Sequence, residues 1–490
     1  MKPFFLLLIF VAISDAQNNE EQFQNLLTNF FSVCPPTTKI TPRATSNFAT
    51  PVSTRYVDKT EYAINRRILS KVFESDLVLT KPQMDDVIDT FRTRVTGTQK
   101  RIKRNAAIEG QKYRWPDAVV PYKFKDNDTE WQSIVKHGMY KWQKETCIRF
   151  RRHTTEKDYA IFFRGGGCYS NVGRTGGRQY ISIGYGCEGH GIVAHEIGHA
   201  LGFWHEQSRP DRDIFVNINE QKILKGTQGN FEKRVDLEES DIPYDFGSVM
   251  HYGPQAFTSD WKYVTIETKD HRFQHTIGQR GDVSFTDVKH ANRLYCSHIC
   301  KTSLSCENGG YENPLDCSSC KCPAGLGGTR CERIAPSTPG CGGELLATEY
   351  WQTIKNTQVG NCHWRIFAPS GKVHFEIIET KYKCDSSCAE NYLEIKHSRN
   401  MEQTGFRQCC NPVPGRIVSE GNQVVLNSIS KLSPSNFTVR FILDSASALK
   451  PPPAAWEGNG GLTGLLGANE AGFDNTFEHV VLKDLPRALK

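Results

Sequence analysis

Three histidines, a glutamate and two glycines lie within the eleven residues HEIGHALGFWH, at positions 195–205. If this stretch is helical, the four-residue spacing of His195 and His199 puts both imidazoles on one face. Gly202 can end that helix in a left-handed conformation and turn the chain, which brings His205 back towards the same point. Three histidine nitrogens that leave positions open for water and substrate are typical of a catalytic rather than a structural zinc site.

Glu196 follows the first histidine and supplies a carboxylate beside the predicted metal site. Zinc lowers the pKa of a bound water to about 7, and a nearby carboxylate can accept its proton. The hydroxide then attacks a peptide carbonyl, and Glu196 passes the proton to the leaving amine. The full H-E-x-x-H-x-x-G-x-x-H pattern therefore predicts a zinc protease with one zinc ion, and three histidines with ordinary structural roles are the weaker interpretation. Ordinary core or surface roles are expected for His190, His251, His275 and His290, which lack this spacing.

The chain that must position these residues is long enough for about three domains. It has 490 residues, and 38% of them are hydrophobic, which suffices for globular cores. A net charge of +6 is small for this length and argues against a nucleic-acid partner. Seventeen cysteines indicate a secreted protein with disulfides rather than a cytosolic one.

Residues 1–16, MKPFFLLLIFVAISDA, have the features of a secretory signal peptide. Lys2 precedes an apolar run, and the small residues Ser14 and Ala16 suit cleavage. An uncleaved signal anchor is the alternative. Because no later apolar run is long enough to span a bilayer, the sequence predicts a secreted, extracellular product without a membrane span.

Residues 17–104 are polar and end in the basic cluster Arg101-Ile-Lys-Arg104. The cluster lies just before a change in amino-acid composition. This position favours a site at which another protease processes the chain, rather than a run of solvated charges. Residues 17–104 are then a propeptide, and the mature protein begins at Asn105. Removal of this segment also removes Cys34, which explains the odd number of cysteines.

Local patterns predict the elements around the histidine helix. Residues 284–295 are expected to form a helix that begins with a capping box of Ser284 and Asp287. The other predicted elements are a strand within 113–124, an amphipathic helix at 130–145 and a buried strand at 159–163.

The C-terminal part of the chain divides into three segments. Residues 299–332 contain six cysteines and need disulfides to fold; they resemble an epidermal-growth-factor-like (EGF-like) module. Residues 341–444 alternate apolar and polar positions in short runs, which predicts an antiparallel β-sandwich, and they resemble a CUB domain. Residues 445–490 are rich in Pro, Gly and Ala and are expected to be mostly disordered.

The extended motif HEIGHALGFWHEQSRPDRD at 195–213 and the sequence SVMHY at 248–252 resemble the astacin branch of the metzincins. The resemblance implies a multidomain protein whose α+β metzincin catalytic domain covers 105–298. It also implies that Met250 forms an apolar floor beneath the zinc. Tyr252 would be a further zinc ligand that swings away to stabilise the tetrahedral intermediate, and Glu206 would receive the new amino terminus after processing.

Residues 73–76, FESD, resemble the F-x-G-D motif of astacin prosegments, with Ser75 in place of glycine. The resemblance implies that Asp76 binds zinc in the proform and displaces the catalytic water, and a carboxylate is a competent zinc ligand. An acidic surface residue near a helix start is one alternative. A Cys34 thiolate bound to zinc is another.

The family resemblances also imply disulfides. Two extra cysteines, Cys388 and Cys410, suggest a third CUB bridge, with either Cys384–Cys409 or an alternative crossing. Asn391 stands where calcium-binding CUB domains often have an aspartate, so no calcium site is expected. The other implied bridges are Cys147–Cys296, Cys168–Cys187, Cys300–Cys317, Cys306–Cys320, Cys322–Cys331 and Cys341–Cys362.

The sequence thus predicts a secreted zinc endopeptidase that cleaves extracellular proteins. The domain order resembles nematode astacins, which implies matrix or cuticle proteins as substrates and matrix or protein partners for the EGF-like and CUB modules. A secreted adhesion or scaffold protein with a vestigial protease domain, and a reprolysin- or matrixin-like metzincin, are the alternatives. Arg174 and Arg178 can favour acidic substrates, although solvated charges are the plainer interpretation, and Asn127 and Asn436 are glycosylation sequons.

Overall fold

A computed structural model describes residues 58, 60–95, 107–234, 237, 240–301, 303–410, 413–431 and 435–444. The chain divides into two compact units, Met1–Lys301 and Thr302–Lys490. Several predictions lie outside the described residues and stay predictions: the signal peptide at 1–16, Cys34, the cleavage site at Arg104–Asn105 and the tail at 445–490.

The first unit contains a five-stranded sheet in the order β2-β1-β3-β5-β4. Strands β1, β2, β3 and β5 are parallel, and the short edge strand β4 is antiparallel to β5. The strand predicted at 159–163 is confirmed as β3. The strands of this unit are β1 Val119–Phe124, β2 Arg149–Arg152, β3 Tyr159–Phe163, β4 Cys168–Tyr169, β5 Arg178–Ile183, and the pair β6 Val216–Ile218 and β7 Ile266–Thr268.

Five α-helices belong to the same unit within the described residues. The helix predicted at 130–145 begins one residue earlier, because the Asp128 carboxylate accepts hydrogen bonds from the backbone at its first turn, and it ends two residues earlier. None of the helices in the described ranges is long and apolar enough to cross a membrane. The helices are α1 Glu61–Asn65, α2 Lys81–Val95, α3 Thr129–Gln143, α4 His190–Ala200 and α5 Phe285–Cys296.

Helix α5 begins with the predicted capping box, which is confirmed. Ser284 accepts a hydrogen bond from the Asp287 backbone, and the Asp287 carboxylate accepts one from the Ser284 backbone. The same carboxylate accepts hydrogen bonds from the Ser248 hydroxyl at 2.5 Å and from the Val249 backbone N–H at 2.8 Å. This cap therefore fixes the turn at 248–252 relative to the helix.

Two disulfides hold the first unit together. Cys147–Cys296 joins the segment after α3 to the last residue of α5, and Cys168–Cys187 joins edge strand β4 to the loop before α4. The second bridge closes only 19 residues of chain, so it fixes the edge strand close to the histidine helix.

The second unit begins with two small hairpins. Disulfides Cys306–Cys320 and Cys322–Cys331 hold them, and Cys300 and Cys317 are each disulfide-bonded as well. Residues 333–334 pair with 326–327. The hairpin strands are β8 Tyr311–Glu312, β9 Cys320–Lys321, β10 Leu326–Gly327 and β11 Arg333–Ile334.

The remainder of the second unit is a two-sheet β-structure. One sheet has the order β12-β14-β19-β16-β17 and the other β13-β20-β15-β18, and all pairs are antiparallel except β12 with β14. Trp364 of the first sheet packs edge-on against Phe437 of the second, as expected for a sandwich. The strands are β12 Gly343–Leu346, β13 Gln352–Asn356, β14 Gly360–Phe367, β15 Lys372–Lys381, β16 Tyr392–Lys396, β17 Phe406–Gln408, β18 Arg416–Val418, β19 Gln423–Ser430 and β20 Asn436–Asp444.

One predicted pairing in this domain is wrong. Besides Cys341–Cys362, the structure contains Cys384–Cys410 and Cys388–Cys409, not Cys384–Cys409. Adjacent residues of an extended chain point to opposite sides. Cys409 therefore points inward to the buried Cys388, and Cys410 meets Cys384 nearer the surface.

Candidate active site

Helix α4 carries the two histidines of the motif on one buried face. The Nε2 atoms of His195 and His199 are 3.0 Å apart. Each Nδ1 donates to a backbone carbonyl: that of His195 to Val249 at 2.8 Å and that of His199 to Phe203 at 2.7 Å. These bonds orient both rings and leave the two Nε2 lone pairs free to bind one metal ion.

The turn predicted at Gly202 is confirmed. Helix α4 ends at Ala200, and Gly202 has φ 109°, a conformation that favours glycine. The chain then returns His205 to the helix, so that its ring centre lies 4.7 Å from that of His199 and 5.4 Å from that of His195. The three imidazoles therefore converge.

Asp76, from the N-terminal segment (residues 60–95), lies between the three histidines. Its Oδ2 is 3.3 Å from His195 Nε2 and 3.2 Å from His205 Nε2, and its Oδ1 is 3.5 Å from His199 Nε2. Burial alone would raise the pKa of Asp76, but the neighbouring histidines hold that pKa well below its usual range. Three imidazole nitrogens and one carboxylate oxygen within 4.8 Å of one another are a donor set that suits tetrahedral zinc.

Glu196 lies beside this cluster and is fully buried. Neither of its carboxylate oxygens has a hydrogen-bond partner among the described residues. Burial, together with the charges of Asp76 and Glu61, raises the pKa of Glu196 well above its usual value. A buried carboxyl with a raised pKa at a metal cluster is suited to general acid–base chemistry.

The turn at 248–252 places two more side chains at the cluster. A Cβ atom at Gly198 would lie 2.7 Å from the sulfur of Met250, so Met250 packs directly under the helix between the two histidines. The ring of Tyr252 lies 4.4 Å from that of His205. Its hydroxyl donates to the backbone carbonyl of Glu74 at 2.5 Å.

Comparison with known proteins agrees with this geometry. The astacin family (peptidase family M12A) matches residues 107–296, and the CUB domain family matches residues 341–441. Zinc metalloproteinase nas-26 of Caenorhabditis elegans is 34% identical over 391 residues, which cover 76% of this chain and 93% of that protein. The chain belongs to the astacin family. It is thus a member of a family of zinc metalloproteinases, and it carries a CUB domain.

Other astacins match over part of their length. Zinc metalloproteinases nas-30 and nas-37 of Caenorhabditis elegans are 44% and 41% identical over 446 and 374 residues, which are 89% and 75% of this chain. The chain spans 59% and 48% of the lengths of these two relatives. High choriolytic enzyme 1, a hatching enzyme zinc-protease of Oryzias latipes, is 35% identical, with 39% of this chain and 98% of that chain covered and a TM-score of 0.36.

In this astacin, Glu206 is buried next to the metal cluster. Its Oε1 accepts hydrogen bonds from the Asp245 backbone at 2.9 Å and from Arg209 at 3.2 Å. Burial raises the pKa of Glu206 to about 8, although Arg209 opposes this shift. Ala107 pairs with Phe203 nearby, and the predicted contact of Glu206 with a new amino terminus involves residues outside the described ranges.

Glu74 is a residue of this site that the sequence motif did not reveal. Its carboxylate lies 2.8 Å from Nδ1 of His205, 3.2 Å from the Ser208 hydroxyl and 3.1 Å from Arg234. The motif F-x-G-D leaves this position unspecified. The only signal was a second acidic residue two positions before Asp76.

The backbone around Glu74 explains the glycine of the motif. Glu74 has φ 43° and Ser75 has φ 68°, so both adopt a left-handed conformation. Phe73 and Leu77 exchange backbone hydrogen bonds at 2.8 Å, which makes residues 73–77 a tight turn. Glycine adopts a left-handed conformation more easily than serine does, which explains why the motif has glycine at the position of Ser75.

A second contact of the N-terminal segment lies at Glu61. Arg280 donates two hydrogen bonds to the Glu61 carboxylate, at 2.6 and 2.7 Å, and both side chains are buried. Burial alone would raise the pKa of Glu61, but Arg280 lowers it to about 2. Asn65 adds hydrogen bonds to the backbones of Ser75 and Cys168. The segment is thus attached to the domain before Asp76 by Glu61 and Asn65, and after it by the Val78 backbone N–H, which donates to the Ser170 carbonyl at 2.9 Å.

Glu61→Gln is expected to weaken this attachment by about 3 kcal/mol, because it leaves the buried Arg280 without a full counter-charge. Backbone amides of residues 61–77 should then exchange with deuterium about 100-fold faster in the full chain. Asp85→Asn is the matched control, since it removes an exposed ion pair with Lys81 on the same segment. Equal exchange rates in wild type and Glu61→Gln would contradict the assignment.

The remaining predicted residues lie apart from the cluster. Arg174 donates to the Arg114 carbonyl at 2.8 Å and pairs with Asp158, whereas Arg178 is exposed. Of the two sequons, Asn127 is exposed just before α3, and Asn436 is partly buried at the start of β20. Glycosylation stays a prediction.

Proposed function

We propose that this chain is an extracellular zinc metalloendopeptidase made as a precursor, in which residues 17–104 are a prosegment that blocks the metal site. The observation that supports this proposal is the position of Asp76, which comes from the N-terminal segment and lies between the Nε2 atoms of the three converging histidines. A chain that has an adhesive function alone does not need a buried metal cluster with a carboxylate seated in it.

The zinc ligands in this proposal are His195, His199 and His205, with Asp76 as the fourth in the precursor. When bound, zinc polarises the substrate carbonyl and lowers the pKa of water. Glu196 accepts the proton of the attacking water and delivers it to the amine nitrogen of the leaving group. Its burial without a hydrogen-bond partner supports this role, because nothing in the described residues competes for its oxygens.

Tyr252 acts on the substrate carbonyl. In the precursor its hydroxyl donates to the Glu74 carbonyl, so departure of the prosegment releases a preoriented donor at the metal site. That hydroxyl then donates to the substrate oxygen on which negative charge develops, and it is a further zinc ligand at rest. Met250 supports the histidine helix from below.

Activation occurs by cleavage after Arg104, which removes the prosegment and creates an amino terminus at Asn105 that pairs with Glu206. The signal peptide and the disulfides support secretion. The segment 299–332 is an EGF-like module, and together with the CUB domain it binds matrix or protein partners. The proposed substrates are extracellular matrix or cuticle proteins, as the resemblance of the domain order to nematode astacins implies.

The test is chelator-sensitive proteolysis by the mature enzyme. Wild type should hydrolyse an unfolded protein substrate, lose this activity with 1,10-phenanthroline and regain it with Zn²⁺. Tyr252→Phe is expected to lower kcat by about 100-fold, because one donor to the developing oxyanion is lost, with little change in KM.

Tyr295→Phe is the matched control for this test. Its buried hydroxyl also donates to a backbone carbonyl, that of Leu201 at 2.8 Å, but away from the metal cluster. It should keep its kcat. Absence of chelator-sensitive hydrolysis in the wild type would favour an adhesion or scaffold protein instead, and full activity of Tyr252→Phe would remove the proposed role of Tyr252.

A further inference from the structure

The two sheets of the β-sandwich differ in what lies on their outer faces. The small hairpins of the second unit pack on the sheet β12-β14-β19-β16-β17, where Leu326 forms a buried cluster with Val425 and Met401. The Gln423 side chain also donates to the side chain of Asn308 at 2.7 Å. This sheet is therefore covered on its outer face as well as on its core face.

The outer face of the other sheet, β13-β20-β15-β18, has exposed apolar side chains instead. Along β15, Val373 and Phe375 point to the core, so His374 points outward, opposite Val418 of β18. Val418 is 41% exposed, and Tyr350, just before β13, is 75% exposed. We call this surface the open face; it comprises Tyr350, Trp351, His374, Arg416, Val418 and Arg440.

Trp351 lies at the centre of the open face. Its ring meets that of His374 edge-on, with the ring centres 5.5 Å apart. The guanidinium of Arg440 lies 4.6 Å from the centre of the tryptophan ring, and that of Arg416 lies 6.0 Å from it. His374 is 5% exposed, and neither of its ring nitrogens has a hydrogen-bond partner among the described residues. Because buried polar groups normally have such a partner, this histidine points to a bound molecule that supplies one.

The open face carries a surplus of positive charge. The Glu376 carboxylate lies 2.5 Å from Arg440 and 3.8 Å from Arg416, so one carboxylate faces two guanidinium groups. Lys355 of β13 lies on the same side of the sheet, opposite Thr438. The other charged side chains of this side are matched in two pairs, Glu379 with Lys381 and Lys372 with Asp444. A partner that complements this surface is therefore acidic.

We propose that the open face binds an acidic segment of another extracellular protein. Carboxylates of that segment pair with Arg416 and Arg440, and one of its apolar side chains packs against Tyr350 and Trp351. Tryptophan, tyrosine and arginine are the residues most enriched in the hot spots of protein interfaces, and an apolar patch rimmed by charges is typical of such interfaces. This inference rests on the proposed function, because it gives a surface and a chemistry to the partner binding proposed for the CUB domain.

The experiment measures, by fluorescence anisotropy, the binding of a short labelled peptide in which Glu alternates with Phe and Leu. The protein is the full-chain precursor with Arg104→Ala, in which Asp76 occupies the metal site and the peptide cannot be cleaved. A matched peptide has Gln in place of every Glu. The acidic peptide is expected to bind about 10-fold more tightly than the Gln peptide, and high salt should reduce this difference.

Two substitutions of exposed side chains test the open face directly. Arg416→Gln should weaken binding of the acidic peptide about 10-fold, and Tyr350→Ala should weaken binding of both peptides, because it removes an apolar contact. The Arg416 side chain is 55% exposed and Arg440 remains paired with Glu376, so the fold should be unaffected. Arg399→Gln is the matched control, since Arg399 is an exposed arginine that follows β16 of the other sheet, and it should keep the wild-type affinity.

The other occupants of the open face are outcomes of the same test. Equal affinity of the wild type for both peptides, or full affinity of Arg416→Gln for the acidic peptide, overturns the proposal. Heparin binding without peptide binding would assign the face to a sulfated polysaccharide, and a dimer in sedimentation that Arg416→Gln dissociates would assign it to a second copy of the chain; either result also overturns it. Absence of chelator-sensitive hydrolysis by the mature enzyme is a separate failure, which overturns the proposed peptidase and leaves the binding result unchanged.

Discussion

The mature Glu196→Gln enzyme is expected to lose about 10³-fold in kcat. Glutamine has nearly the same shape as glutamate but cannot accept the proton of the attacking water. Glu196 is fully buried and its oxygens have no hydrogen-bond partner among the described residues, so the substitution breaks no contact that holds the fold. Steady-state hydrolysis of one quenched peptide measures the effect.

Two further measurements make this test specific to proton transfer. The zinc content of the variant should equal that of the wild type, because the three histidines are unchanged. Glu130→Gln, an exposed glutamate in the first turn of α3, should keep the wild-type kcat. If Glu196→Gln retains more than a tenth of the wild-type activity, Glu196 is not the general base.

The uncleaved Asp76→Ala precursor is expected to be about 100-fold more active than the uncleaved wild-type precursor. Asp76 places a buried carboxylate between three histidines, and removal of one partner from such a cluster costs about 3–5 kcal/mol. The blocked state of the precursor therefore loses much of its free-energy advantage over an open state. Both precursors should carry Arg104→Ala, which prevents processing, and gel electrophoresis should verify that the chains stay intact.

Two further substitutions serve as controls for this result. Asp85→Ala removes an exposed aspartate from the same prosegment and should leave the precursor inactive. Cys34→Ser tests the rival blocker. Activation by Cys34→Ser together with a silent Asp76→Ala would assign the latch to the thiolate and reject the aspartate.

Much of the metal cluster could be predicted from sequence because its signals are local. His195 and His199 lie one helical turn apart, and Gly202 supplies the left-handed turn that returns His205. The capping box of α5 is also contained within four residues. Such patterns depend on backbone geometry over a few residues, which a sequence displays directly.

Apart from that of Asp76, which a motif indicates, the contacts of the N-terminal segment (residues 60–95) could not be predicted because they join distant residues. Glu74 and Arg234 are 160 positions apart, and Glu61 and Arg280 are 219 apart. Isolated acidic and basic residues are common, so neither pair carries a pattern. The prediction of the CUB disulfides failed for a related reason. Cys409 and Cys410 are adjacent and look equivalent in the sequence. They differ only in the side of the extended chain to which each side chain points.

The tight turn at 73–77 has a consequence for how the enzyme is switched on. A protease that binds its substrate as an added strand acts on an extended backbone. Here residues 73–77 form a turn instead. The group that contacts the histidines is the side-chain carboxylate of Asp76 and not a peptide carbonyl. In the proposed precursor, the segment around Asp76 therefore acts as an inhibitor and not as a slow substrate of the active site that it occupies. If the chain is a precursor as proposed, a molecule with this segment in place has no free active site of its own, so a second molecule has to cut it and sets the timing of activity.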